Sequence, residues 1–188
     1  MTLFFVRHAQ ATEDRRDLSR AEDPPLTALG RRQATRLARR LQNERFSHAY
    51  ASVMKRCRET ARLALELHRH TPYTETADIM EVSRDHFVSV PKAWHPASHG
   101  MLEQEKDAMG RFANRLRHDH GPGQKILVIA HGNLIRSLMP MLGGKDARES
   151  ILIEIDNASV TVLDVWSSGA VILKLANCVR HLLPGEVT

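Results

Sequence analysis

The chain has 188 residues, 42% hydrophobic and 26% charged, proportions that suit one soluble globular domain with a real core. No apolar run approaches the roughly 20 residues that a membrane-spanning helix needs, and the start, Met1 to His8, carries no basic leader, so a cytoplasmic protein with no membrane partner is expected. Lys and Arg outnumber Asp and Glu by 27 to 22, a net charge of +5, yet aromatics make up only 5%, which gives nucleic acid no stacking platform.

Residues 2–7 read as a short buried strand. A polar loop with Asp14, Asp17, Asp23, Pro24 and Pro25 follows. Thr27 then suits a helix N-cap. The helix runs to about Asn43, with Ala34, Leu37, Ala38 and Leu41 at helical spacing. A second strand is expected over 46–51, ending at Ser52. A second helix follows from about Lys55 to His70, with Ala61, Ala64, Leu65 and His68 on one side. Residues 72–77 suit a third strand. The segment from 78 to 102 is irregular, with Pro91, Trp94, Pro96 and Gly100, and reads as a lid-like insertion. A helix from about Glu103 to His120 ends at Gly-Pro-Gly. Residues 124–130 form the clearest strand, an unbroken apolar run that suits a sheet covered on both faces. His131 and Gly132 open another helix, to about Leu142. The end reads as a hairpin, 158–165 and 170–175, around a Ser-Ser-Gly turn.

Strands alternating with helices predict a three-layer α/β/α sandwich with a mostly parallel central sheet. Ligands of such sheets bind beyond the carboxyl ends of the strands. His8, Arg56 and His131 each lie just past a predicted strand, so residues far apart in sequence fall on one sheet edge. Arg7 and Arg56 offer planar forks of donors that match phosphate oxygens. A helix starting at Gly132 favours an anion at its N-terminus. A neutral imidazole in such a place can attack phosphorus and carry the phosphoryl group. The alkoxide that leaves needs a proton, and a carboxyl group raised in pKa by burial can supply it. Glu81 is the candidate. Singly, each residue has a plainer role: a solvated arginine, a helix cap, a surface carboxylate. Their convergence on one edge carries the reading.

Four ordered motifs also carry a resemblance. Phe5-Val6-Arg7-His8-Ala9 resembles the Arg-His-Gly signature of the histidine phosphatase superfamily, also called phosphoglycerate mutase-like. Leu26-Thr27-Ala28-Leu29-Gly30-Arg31-Arg32-Gln33-Ala34 is similar to its Leu-Thr-x-x-Gly-x-x-Gln-Ala helix start. Ser52 to Ala61 matches its Ser-x-x-x-Arg-x-x-x-Thr-Ala element, and Ala130-His131-Gly132 its second His-Gly element. Asn157 to Val160 resembles its late strand. The resemblance implies a metal-independent histidine acid phosphatase-type phosphomonoesterase. His8 would be the nucleophile, with Arg7, Arg56 and His131 on the phosphoryl group and Glu81 as proton donor. No cofactor is implied. The substrate would be a phosphorylated small molecule or a phosphoprotein, and a homodimer could form through the C-terminal hairpin strand. The Arg-His-Ala-Gln start looks most like the phosphatase branches, the protein Ser/Thr and phosphohistidine phosphatases among them. Two positions depart from the pattern. Ala9 stands where glycine is usual, tolerable only if its φ is negative. Asp14 stands where an asparagine is common, and it receives no role.

The pairs His68/His70 and His118/His120 face different sides of a helix at i, i+2, which argues against a shared metal. Cys57 is read as a packing residue. His86, His95 and His99, with Trp94, are candidates for the substrate entrance. Two other activities fit the same cations: mutase-type phosphoryl transfer, and phospho-ligand binding without turnover.

Overall fold

A computed structural model describes residues 1–11, 23–83, 99–146, 149 and 153–188. Its elements, in chain order, are β1 (Thr2–Arg7), α1 (Ala28–Leu41), β2 (His48–Ser52), α2 (Lys55–Ala64), β3 (Tyr73–Thr76), α3 (His99–Asp119), β4 (Lys125–Ala130), α4 (Gly132–Leu142), β5 (Val160–Val165) and β6 (Val171–Cys178). The strands form one six-stranded sheet in the order β3-β2-β4-β1-β5-β6. β1, β2, β3 and β4 run parallel, β5 pairs antiparallel with β1, and β6 pairs antiparallel with β5.

The period of two along each strand divides the core. Leu3, Phe5, Ile126 and Val128 join Phe112 and Leu116 of α3 and Leu134 and Leu138 of α4. Phe4, Val6, Leu127 and Ile129 face the other way, to Leu37 and Leu41 of α1 and Cys57 and Ala61 of α2. A sheet apolar on both faces must be covered on both, and two helix layers do so. The sandwich expected from the sequence is the one observed.

Register sets the site. Arg7 stands beside Ala130, and Ala51 beside Ile129, so β1, β4 and β2 end level with one another. Whatever follows each strand emerges on a common edge.

Helix α1 is tied to the loop after β1 at its first turn. The Thr27 hydroxyl accepts from the Gly30 N–H (3.0 Å) and donates to Gln10 Oε1 (2.7 Å). The Gln10 backbone lies so close to Gly30 that an added Cβ would collide with its carbonyl oxygen. Gly30→Ala must therefore push α1 off that loop. It is expected to cost about 2 kcal/mol or more, a fall of roughly 5 °C or more in Tm, measured by thermal unfolding; an unchanged Tm would show that the contact yields freely.

Three boundaries differ from the sequence reading by three residues or more. Helix α2 stops at Ala64, six residues before His70. Beyond it the His68 ring packs edge-on to Phe46 at 5.4 Å, turning the chain back toward Pro72 and β3. His68 and His70 are thus not helical. Helix α3 begins at His99 rather than Glu103, because Gly100, read as a loop residue, is tolerated in an exposed first turn. β6 continues to Cys178. Asp14, His86, Trp94 and His95, and most of the lid-like insertion, lie outside the described residues. Of His99 only the helical backbone is described. Ala9 is buried and its φ is not positive, so its methyl group brings no strain. No described helix is long and apolar enough to cross a membrane.

Candidate active site

The edge where β1, β4 and β2 end brings His8, Arg56 and His131 together. His8 follows β1, and His131 is the residue before α4. Both are nearly inaccessible, at 6% and 0% exposure, and Arg56 is at 6%. The His8 and His131 rings stand 5.1 Å apart between centroids. Arg56 bridges them, donating from Nε to His8 Nε2 (3.2 Å) and from Nη2 to His131 Nδ1 (3.3 Å).

These contacts fix both tautomers. A backbone carbonyl only accepts, so His8 Nδ1, 2.8 Å from the Ala9 oxygen, carries the proton. His8 Nε2 therefore holds a lone pair, directed at the Arg56 guanidinium. Arginine only donates, so His131 Nδ1 is the acceptor, and its Nε2–H donates to the Ser52 hydroxyl at 3.0 Å. Burial holds His8 well below the usual histidine pKa, helped by the positive charges of Arg7 and Arg56. His131 is lowered likewise, by burial and then by His8, Arg56 and Arg7. Both rings are neutral across the physiological range.

Arg7 is anchored by a bond from Nη1 to the Ile155 carbonyl (2.6 Å). Glu81 comes from the chain beyond β3. Its Oε1 accepts from the N–H groups of Val82 (3.1 Å) and Leu134 (3.2 Å), the second in the first turn of α4. The sequence reading reserved that helix start for the ligand anion; in the structure Glu81 already occupies one of its donors. Burial raises the Glu81 pKa, against the lowering effect of those two N–H groups and of Arg7 and Arg56. Arg7, His8, Arg56 and Glu81 all line one cavity of about 480 Å³. His131 is not among the described lining residues and reaches the cavity only through its contact with Arg56.

Several supporting residues escaped the sequence reading. The Thr60 hydroxyl accepts from the Ala9 N–H (3.0 Å) and donates to the Arg56 carbonyl (2.7 Å), coupling the two loops. Asn157 Nδ2 donates to the His8 carbonyl at 2.9 Å, and the Ala158 N–H donates to the Arg7 carbonyl at 3.0 Å. Ala158 holds φ at 57°, left-handed backbone that costs alanine on the order of 1 kcal/mol. Asp23 accepts from the Lys55 N–H and lies 3.4 Å from Arg56 Nη1. Thr60 and Asn157 stood inside quoted motifs, but only contact across 51 and 149 residues shows what they hold.

Comparison with known proteins shows the family and the fold. Residues 3–178 match the model of the histidine phosphatase superfamily, branch 1. The chain belongs to that superfamily. Among curated relatives of the superfamily, the mitochondrial serine/threonine-protein phosphatase Pgam5 of Caenorhabditis briggsae is 28% identical over 193 residues. The match takes in 99% of this chain and 66% of that protein, so the chain spans about two thirds of that relative's length. The fold matches the alpha-ribazole phosphatase of Shigella flexneri with a TM-score of 0.76, at 23% identity, over 95% and 96% of the two chains. It matches the phosphoserine phosphatase of Entamoeba histolytica with a TM-score of 0.77, at 18% identity, over 97% and 99%.

Proposed function

We propose that this chain is a metal-independent phosphomonoesterase of the acid phosphatase type that works through a phosphohistidine on His8. The observation that carries the reading is the His8 tautomer. Nδ1–H is committed to a carbonyl, and the Nε2 lone pair lies among arginine donors in an open cavity.

A phosphate dianion entering the cavity exchanges the Arg56–His8 and Arg56–His131 contacts for bonds from the guanidinium to its oxygens, with Arg7 alongside. His8 Nε2 then attacks phosphorus, and the bond from phosphorus to the ester oxygen breaks. The Glu81 carboxyl gives its proton to that oxygen, releasing the alcohol. In the second half, water attacks the phosphoryl group and Glu81, now a carboxylate, takes the water's proton. The phosphorus–nitrogen bond breaks, its electron pair returns to Nε2, and phosphate leaves. His131, its tautomer held by Ser52, positions Arg56 and borders the phosphoryl oxygens. The substrate is a phosphorylated small molecule or phosphoprotein. Free thiols at Cys57 and Cys178 fit a reducing, cytoplasmic setting, and β6, an edge strand with Ile172 and Leu173 exposed, is the place for a homodimer contact.

The test is hydrolysis of an aryl phosphate with excess EDTA and no added bisphosphate. Full activity is the expected result. Activity lost to EDTA would point to a metal, and activity that needs a bisphosphate would point to mutase-type transfer. Phosphate binding without turnover would make the chain a phospho-ligand binder.

A further inference from the structure

Beside the phosphate-binding groups, the cavity has a wall of different chemistry. Met54, Met80 and Met101 line it, with Ala77, Val82 and Ala108 between them. The three thioethers come from three separate segments: the residue before α2, the turn after β3 and the first turn of α3. Met80 is 41% exposed, an apolar side chain that lines the cavity rather than packing into the core. Thioether side chains of this kind adapt their shape to varied apolar groups.

The carboxylates beside this wall, Asp78 and Glu105, are already engaged. Asp78 accepts from Arg111 Nε (3.1 Å) and Nη2 (2.9 Å), and its other oxygen is 3.8 Å from Arg115. Glu105 Oε2 accepts from the Ser83 N–H at 2.9 Å. Among the described lining residues the cations are Arg7 and Arg56, both at the phosphate end. A second anionic group on the ester would meet three thioethers and the carboxylates of Asp78 and Glu105, with Arg111 and Arg115 already paired to Asp78. An alkyl or aryl group would bury apolar surface there.

Resting on the phosphatase reading above, we infer that the leaving group is an uncharged, apolar alcohol and that Met54, Met80 and Met101 select it. Phosphorylated hydroxy acids, which carry a carboxylate close to the ester, are poor substrates.

The test is kcat/KM for ethyl, butyl and hexyl phosphate and for 3-phosphoglycerate. The alkyl alcohols differ little in acidity, so the series reports burial and not leaving-group quality. Each methylene is expected to raise kcat/KM about fourfold, and 3-phosphoglycerate should fall below ethyl phosphate. Met80→Gln should reduce the hexyl-to-ethyl ratio by about threefold or more. Because Met80 is largely exposed, that variant is expected to fold. Met80→Arg should gain on 3-phosphoglycerate by about tenfold. A flat alkyl series in the wild type, or 3-phosphoglycerate turned over better than butyl phosphate, would overturn the inference while the phosphatase reading stands. No turnover of any ester would remove both.

Discussion

His8→Ala is expected to lower kcat/KM for any phosphate ester by about 10⁴-fold or more, because it deletes the atom that forms the intermediate. That factor corresponds to about 5 kcal/mol of lost transition-state stabilisation. The fold should survive. The ring's one backbone contact is to the adjacent Ala9 carbonyl, and Thr60 and Asn157 hold this loop through main-chain atoms. Two readouts separate a nucleophile from a merely structural histidine. Wild-type protein quenched during turnover of labelled substrate should retain label that is stable in base and lost in acid, and His8→Ala should retain none. Added imidazole should restore part of the variant's activity, since the substitution empties space beside Arg56 for it. A variant with a tenth of wild-type activity, or label retained without His8, would assign the chemistry to another group.

The pH dependence follows from the same surroundings. Burial and the flanking arginines lower the His8 pKa well below its ordinary 6.5. The imidazole therefore stays an unprotonated nucleophile as pH falls through 6.5, and the acid limb of kcat/KM set by His8 lies below that value. An ordinary solvent-exposed histidine would lose activity near 6.5.

Much of this site is legible in the sequence because parallel topology does the assembling. His8, Arg56 and His131 each follow a strand, and the register that levels Arg7 with Ala130 needs only that those strands be neighbours. Thr27 was recognisable because an N-cap is a local bond, three residues long. The rest depends on partners that sequence does not name. Nothing in the residues after Ala64 announces that α2 ends there, or that the His68 ring beyond it meets Phe46 of another segment. Glu81 was chosen for its place in the chain. That its Oε1 would take an N–H of α4, and so be oriented, is a tertiary fact. The left-handed Ala158 is the clearest case. Alanine gives no local reason for φ of 57°, and the conformation persists because its N–H closes on the Arg7 carbonyl.

Glu81→Gln is expected to cost 10²- to 10³-fold on an alkyl phosphate and far less on p-nitrophenyl phosphate. An alkoxide cannot leave without a proton, whereas nitrophenolate can. Glutamine keeps an Oε1 to accept from Val82 and Leu134 but has no proton to give. The sign with pH is fixed by burial, which raises the Glu81 pKa above its ordinary 4.5. Below that raised value the carboxyl is protonated and competent as an acid. As pH rises through it, kcat/KM on the alkyl ester should fall, while the p-nitrophenyl ester should show a weaker alkaline limb or none. Stability moves in the same direction. A carboxyl whose folded pKa is raised contributes stability that is present below the unfolded pKa and lost as pH rises through the folded one. Glutamine, uncharged at every pH, removes that loss, so the variant should gain Tm relative to wild type at neutral pH as it loses catalysis. Equal losses on both esters would make Glu81 a brace for the start of α4. Unequal losses together with a raised Tm require a carboxyl held protonated, against its own stability, for the leaving oxygen.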